Sequence, residues 1–210
     1  MTPETDHPPA PAPTVDHEDA FGLEQQFVAR GDSPYTRNEK IGRILWNYLG
    51  QKLFRLTFHN WYGVRNGLLR LFGAKIGTHV RLRPTVLVEQ PWNLSIGDHS
   101  SVGDYASLYC LGPVSIGRFV SISQRAHVCA GTHDLTHPQL PLVRPPIMVH
   151  DQVWIAADAF VGPGVTVGEG AVLGARGCAF KDLSAWGIYG GNPAKKLRDR
   201  PRFEVGEGRA

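Results

Sequence analysis

From residue 76 onward the apolar positions of the chain recur every six residues. Reading one position per hexad gives Ile76, Leu82, Val88, then Ile96, Val102, Leu108, then Ile116, Ile122, Val128; after an interruption the series resumes as Val149, Ile155, Val161, Val167, Leu173, Ala179, Ala185. Fourteen of these 16 positions are Ile, Leu or Val, against about a quarter expected from ordinary usage, so chance is a poor explanation. The next position is often glycine (Gly77, Gly97, Gly103, Gly117, Gly162, Gly168, Gly174), and the fourth after the aliphatic is small or β-branched, as at Val80, Ala106, Val120, Ala159 and Val165. One long helix would need a stripe of 3.6 and one long strand a period of 2. A period of six predicts short strands separated by corners, stacked as an all-β solenoid, a parallel β-helix of hexapeptide repeats.

The phase breaks define the larger unit. Two residues are added after each of the first two groups of three hexads, from 88 to 96 and from 108 to 116. Three hexads therefore make one triangular coil. The third break is longer, an excursion over residues 132–148 with Pro138, Pro141, Pro145 and Pro146. A loop expelled from a rigid scaffold is where function is to be sought.

Upstream, the pattern changes to a helical one. Ile41, Leu45, Tyr48 and Leu49 recur on one side, with Lys40, Arg43, Asn47 and Gln51 on the other, and a second apolar-basic stretch runs from Asn60 to Phe72 with Trp61, Leu68, Leu69, Leu71 and Phe72. Residues 36–72 have two compatible readings: a cap over the open end of the solenoid, or a basic amphipathic segment in contact with a membrane surface. The expected organisation is a disordered Pro- and acid-rich tail over 1–33, a helical segment over 34–72, a β-helix over 73–190 and a basic C-terminal segment over 191–210, ending in a short helix or tail.

Composition adds constraints more than chemistry. Apolar residues are 42% and charged residues 20% of the 210, as in ordinary globular proteins. A formal charge of +3 does not by itself argue for nucleic acid. Cys110, Cys129 and Cys178 lack metal-ligand spacing and no signal peptide precedes them, so reduced thiols in a cytoplasmic protein are expected.

The repeats resemble those of the hexapeptide-repeat acyltransferases, whose coils wind as a left-handed β-helix. The specific motifs are Val153-Trp154-Ile155, the run Pro163-Gly164-Val165-Thr166-Val167-Gly168, Lys181-Asp182 and Gly191-Asn192-Pro193-Ala194-Lys195, which look like the sugar acetyltransferases. Leu71-Phe72-Gly73-Ala74-Lys75-Ile76-Gly77, Pro91-Trp92-Asn93-Leu94, Ile122-Ser123-Gln124 and Thr132-His133-Asp134 look like the branch of colanic acid biosynthesis acetyltransferases. The resemblance implies an acetyl-CoA-dependent O-acetyltransferase acting on a sugar hydroxyl in exopolysaccharide or cell-surface glycan biosynthesis. It implies a homotrimer with sites between subunits and no metal, working in the cytoplasm or at the inner face of the membrane.

Acetyl transfer to a hydroxyl needs a base for the departing proton, a role suited to neutral histidine, and donors for the tetrahedral oxyanion. The resemblance places the base at His133, where the loop leaves the coil; His137 is the fallback, and His127, His150, His79 and His99 read as corner residues. By the same match Trp154 lines the acyl-CoA cleft. Ala157 and Ala175 contact the pantetheine arm through their backbones, the Ala157 amide being the candidate oxyanion donor. Lys195 and Arg198, and more weakly Lys181, meet the CoA phosphates. The coil before the base reads Ala106-Ser107-Leu108-Tyr109-Cys110-Leu111, without the Asn and Asp groups of the galactoside enzymes, which argues against a simple galactoside; Tyr105, Tyr109 and the loop are candidates to shape the acceptor pocket. Three other readings stay open: an N-acetyltransferase on an amino sugar, a γ-type carbonic anhydrase using His127, His133 and His137, and a non-catalytic assembly module.

Overall fold

The structure, a computed structural model, describes residues 35–202. The expected tail over 1–33 and the last eight residues of the C-terminal segment lie outside the described residues. The chain is a left-handed parallel β-helix preceded by helices.

Helix α1 (Arg37–Leu45) continues through a π-helical turn (Trp46–Gly50) into α2 (Gln51–Arg55), and α3 (Tyr62–Leu71) follows. Thr36 starts α1 with a reciprocal cap: its hydroxyl accepts the Glu39 N–H while the Glu39 carboxylate accepts the Thr36 N–H. The first coil is β1 (Lys75–Ile76), β2 (Arg81–Leu82) and β3 (Leu87–Val88); the second is β4 (Leu94–Ile96), β5 (Ser101–Val102) and β6 (Ser107–Tyr109); the third is β7 (Val114–Ile116), β8 (Ser121–Ile122) and β9 (His127–Cys129). After a ribbon of β10 (Thr132–His133) and β11 (Leu142–Val143) come the fourth coil, β12 (Ile147–Val149), β13 (Trp154–Ile155) and β14 (Phe160–Val161), and the fifth, β15 (Thr166–Val167), β16 (Val172–Leu173) and β17 (Cys178–Ala179). A partial sixth turn ends in β18 (Gly187–Gly190) and β19 (Lys195–Asp199). Stacking yields three faces. The first runs β1-β4-β7-β12-β15, the second β2-β5-β8-β13-β16-β18-β19, and the third β3-β6-β9-β14-β17.

Of the 16 hexad positions, all from Ile76 to Ala179 are buried. Ala185 is exposed instead, because the last turn shifts phase: Leu183 bridges to Val167 and Tyr189 fills the core beneath Leu173. The glycines after the aliphatic are needed for close approach at the corner between the first and second faces. A Cβ on Gly97 would stand 2.7 Å from the Gly117 backbone, and one on Gly117 2.4 Å from Asp151 Oδ1. The left-handed residue of that corner lies two positions later and is usually not glycine: His79, His99, Phe119 and Gln152 have φ of 52–61°. Ladder bonds hold it, for the amides of His99, Phe119 and Gln152 donate to the previous coil at 2.9–3.0 Å. His79, His99 and Phe119 consequently stack ring on ring at 4.9 and 5.1 Å.

The helices cover the first coil, and side chains satisfy its outward carbonyls. Trp46 Nε1 donates to Val88, Gln51 to Val86, Asn66 to Val80, Arg70 to Ile76 and Arg65 to Leu82. The face that packs is Trp46, Gly50 and Phe54, with Arg43 and Gln51 beside it; the apolar row Ile41, Leu45, Tyr48 and Leu49 faces outward. Trp46, an apolar ring that carries a donor, takes the central place because the bare carbonyls of a coil edge call for donors rather than for leucine, while Lys40 and Asn47 of the polar side stay exposed.

The expected short helix or tail at the C-terminus is a strand. A turn through Gly191, at φ 90°, sends β19 back antiparallel to β18, and Arg200 anchors its end by donating to Gln152 and Gly170 carbonyls at 2.9 Å. The open edge of β18 offers partners for the backbone, and β19 takes them.

Candidate active site

All three phase breaks fall at the corner between the third and first faces. The chain leaves the wall there after Ala130 and forms the β10–β11 ribbon, with Thr132 opposite Val143 and His133 opposite Leu142. The tip is closed locally: Leu140 N–H donates to His137 O at 2.9 Å, and Asp134 Oδ1 accepts both the amide and the hydroxyl of Thr136. These bonds hold the Asp134 carboxyl below its usual range.

His133 is exposed on this ribbon, and its Nδ1 lies 2.6 Å from the Leu140 carbonyl oxygen. A carbonyl only accepts, so Nδ1 carries a hydrogen, and in the neutral ring Nε2 keeps its lone pair. That is the tautomer a base requires. His137 also lies on the ribbon, its Nδ1 accepting the Gln139 amide at 3.2 Å. His127 is different: its ring packs edge-on between Tyr109 and Phe160, its Nε2 is buried without a partner, and burial lowers its pKa. His79, His99 and His150 sit at solvated corners. Among the described residues no group of three or more His, Cys, Asp or Glu side chains is placed to hold a metal, so His127, His133 and His137 do not converge.

The root of the ribbon brings in Arg144 and Glu39, which the sequence pattern did not single out. Arg144, on the returning limb, donates to Glu39 of α1 at 3.0 Å and lies over the Tyr35 ring at 5.3 Å; Arg43 lies over the same ring at 4.2 Å and pairs with Glu89 at 3.1 Å. Tyr109 stands beside them, paired with Cys129 across the third face and close to Gly131. Its hydroxyl pKa is raised by burial, then by the neighbouring Glu89 charge. Glu39 and Arg144 are 105 positions apart, so no local signal announces their contact. Tyr105 lies elsewhere, exposed at the corner between the second and third faces.

The other candidates gather around the second face. Trp154 points outward, half exposed, its Nε1 donating to Ser123 Oγ at 3.0 Å. Register runs from Trp154 to Val172 to Ile188 to Arg198, so tryptophan and arginine share one line across four strands, about 14 Å apart at the usual strand spacing. Ala157 and Ala175 occupy equivalent positions of successive coils at the next corner, where the Ala157 carbonyl accepts the Arg176 amide at 2.9 Å. Lys195 opens β19 opposite Gly190, just past the same corner. Lys181 does not join this group. It is exposed at the corner between the third and first faces, on the side of His133.

Two clusters result, one around His133 and one around Trp154, Ala157, Ala175, Lys195 and Arg198. They flank the third face, whose width of four or five residues separates the corners by roughly 15 Å. A single chain does not bring them together.

No family model matches the sequence. The chain is 42% identical over 160 residues to a protein of Escherichia coli K12 described as a colanic acid biosynthesis acetyltransferase, WcaF, covering 76% of this chain and 88% of that one. It is 25% identical over 138 residues to the galactoside O-acetyltransferase of the same organism, covering 64% of this chain and 68% of the relative. Among solved structures, a hexapeptide-repeat acetyltransferase of Vibrio cholerae in complex with acetyl coenzyme A superposes with a TM-score of 0.74 at 21% identity, over 86% of this chain and 98% of that one. The repeat, the fold and the relatives agree: the chain is an acyltransferase of the hexapeptide-repeat family and belongs with the colanic acid biosynthesis acetyltransferases.

Proposed function

We propose that the protein is an acetyl-CoA-dependent O-acetyltransferase that acetylates a sugar hydroxyl during assembly of an exopolysaccharide or other cell-surface glycan, in the cytoplasm or at the inner face of the membrane. His133 is the general base. The observation that carries this reading is the Nδ1–H···O=C bond to Leu140, which leaves Nε2 as an acceptor at the root of the expelled loop. The relatives support the chemistry: one is named for colanic acid biosynthesis, and another was solved with acetyl coenzyme A.

In the reaction, Nε2 takes the hydroxyl proton as the oxygen attacks the thioester carbonyl. The C–O bond forms, the Leu140 carbonyl steadies the imidazolium through Nδ1–H, and the Ala157 amide faces the oxyanion. Collapse breaks the C–S bond, and the proton on Nε2 passes to the departing thiolate. The Trp154 group holds the cofactor, with Lys195 and Arg198 on its phosphates and Lys181 contributing from the His133 side. Because the two clusters lie on opposite sides of the third face, the site is completed by a neighbouring subunit in a homotrimer, His133 from one and the Trp154 group from the next.

His133→Ala tests the assignment. Acetylation of a sugar acceptor should fall by about 10²–10⁴-fold, with oligomer size and CoA binding retained. An unimpaired variant overturns it, and transfer to amino but not hydroxyl acceptors overturns the O-acetyl part.

A further inference from the structure

Helices that cap a fold ordinarily turn their apolar stripe inward. Here the continuous helical run Arg37–Arg55, about 28 Å long at helical rise, does the reverse. Its outward row, Ile41, Leu45, Tyr48, Leu49, Leu53 and Leu56, is 46–79% exposed, and α1 has no buried residue. The orientation is locked from behind. Trp46 is fully buried and bonded to the Val88 carbonyl, and Gly50 lies so close to the Trp46 ring that a Cβ there would overlap it at 2.2 Å. Exposed apolar patches of this extent mark an interaction surface.

Charge identifies the partner. Between Tyr35 and Phe72 the chain has seven basic residues and one acidic residue. The acid, Glu39, is paired with Arg144. Arg37, Lys40, Lys52 and Arg55 are exposed along the stripe, with Lys52 positioned over the Tyr48 ring at 5.9 Å. A second copy of this chain would bring like charges together across such a face. We infer that the row docks on an anionic lipid surface, the leucines and isoleucines entering the acyl boundary and the basic side chains reaching up to lipid phosphates. The inference is independent of which acceptor the enzyme uses, and it brings the His133 loop, tied to α1 through Arg144, near that surface.

The test is sedimentation of the full-length protein with phosphatidylcholine vesicles prepared with and without phosphatidylglycerol. Binding is expected to the anionic vesicles, weakened by high salt. Lys40→Glu/Lys52→Glu should lower the partition coefficient at least tenfold, and Leu45→Glu/Leu49→Glu should abolish binding, both at unchanged oligomer size and thermal midpoint. Failure of the wild-type protein to bind anionic vesicles overturns the inference. So does a Leu45→Glu/Leu49→Glu variant that changes oligomer size while vesicle binding persists, which would assign the face to a second copy.

Discussion

Arg65 offers a sharp test of how the helices are attached. Its side chain is fully buried and spends its donors on four acceptors: the Leu82 carbonyl at 2.8 Å, the Thr57 hydroxyl at 2.6 Å, and the Phe58 and His59 carbonyls at 2.7 Å. The guanidinium thereby joins the loop between α2 and α3 to the edge of the first coil. Its burial is costly, and desolvation is the main cause that lowers its pKa. In Arg65→Met the apolar stem stays and the bonds go. Four charge-assisted bonds at about 1.5–3 kcal/mol each overstate the loss. Desolvation of the ion, several kcal/mol, is relieved at the same time, and the Phe58 and His59 carbonyls belong to exposed residues that water can reach. The Leu82 carbonyl is the one left dry. A net loss of about 3 kcal/mol is expected, or roughly 6–12 °C in thermal midpoint for a domain of this size. Arg65→Lys, a point charge in place of a fork, should fall between. Thermal unfolding followed by circular dichroism measures the loss, and amide exchange should show residues 57–61 opening first. A change below 1 kcal/mol in Arg65→Met would refute the reasoning, since the bonds would then merely balance the desolvation.

Other expectations follow from the site. If each site takes His133 from one subunit and Arg198 from the next, two dead variants, His133→Ala and Lys195→Glu/Arg198→Glu, should complement when co-assembled; random mixing predicts about a quarter of wild-type activity, and no recovery would place both groups in one subunit's site. Removing the loop tether by Arg144→Gln or Glu39→Gln should lower turnover several-fold, with a double-mutant coupling of about 1 kcal/mol for a pair about a quarter exposed. The Glu39 pKa is lowered, first by the Thr36 amide, so this contribution is present above the ordinary glutamate range and lost as pH falls through the folded value. A tether effect that persists undiminished as pH falls below that value would contradict it. Burial pushes the Cys110 thiol up to about 11; since the thiolate is the nucleophile, iodoacetamide at pH 8 should leave Cys110 unmodified in the native protein and label it after unfolding, as peptide mass mapping would show.

The hexad period by itself determined the coil, the inward positions from Ile76 to Ala179 and the place where the chain leaves the wall, because a repeat that buries the same positions of every hexad writes its period directly into the composition of successive positions. The motif around His133 and the Pro-Gly and Gly-Asn-Pro runs made the family legible for the same reason: they are contiguous. Tertiary structure decided what depends on partners far away in the chain. Which side of the helical run packs was set by partners far along the chain, the Val88 and Val86 carbonyls that accept from Trp46 and Gln51, 42 and 35 residues away, so the row Ile41, Leu45, Tyr48 and Leu49 became surface. The C-terminal segment became a strand because β18 presented an open edge. The hexad glycines proved to serve close approach between coils, which no single coil reveals. The division of the candidate site into two clusters emerged only when the third face was seen to stand between them; sequence proximity reports neighbours along the chain, whereas a solenoid places function at corners whose separation is the length of a strand.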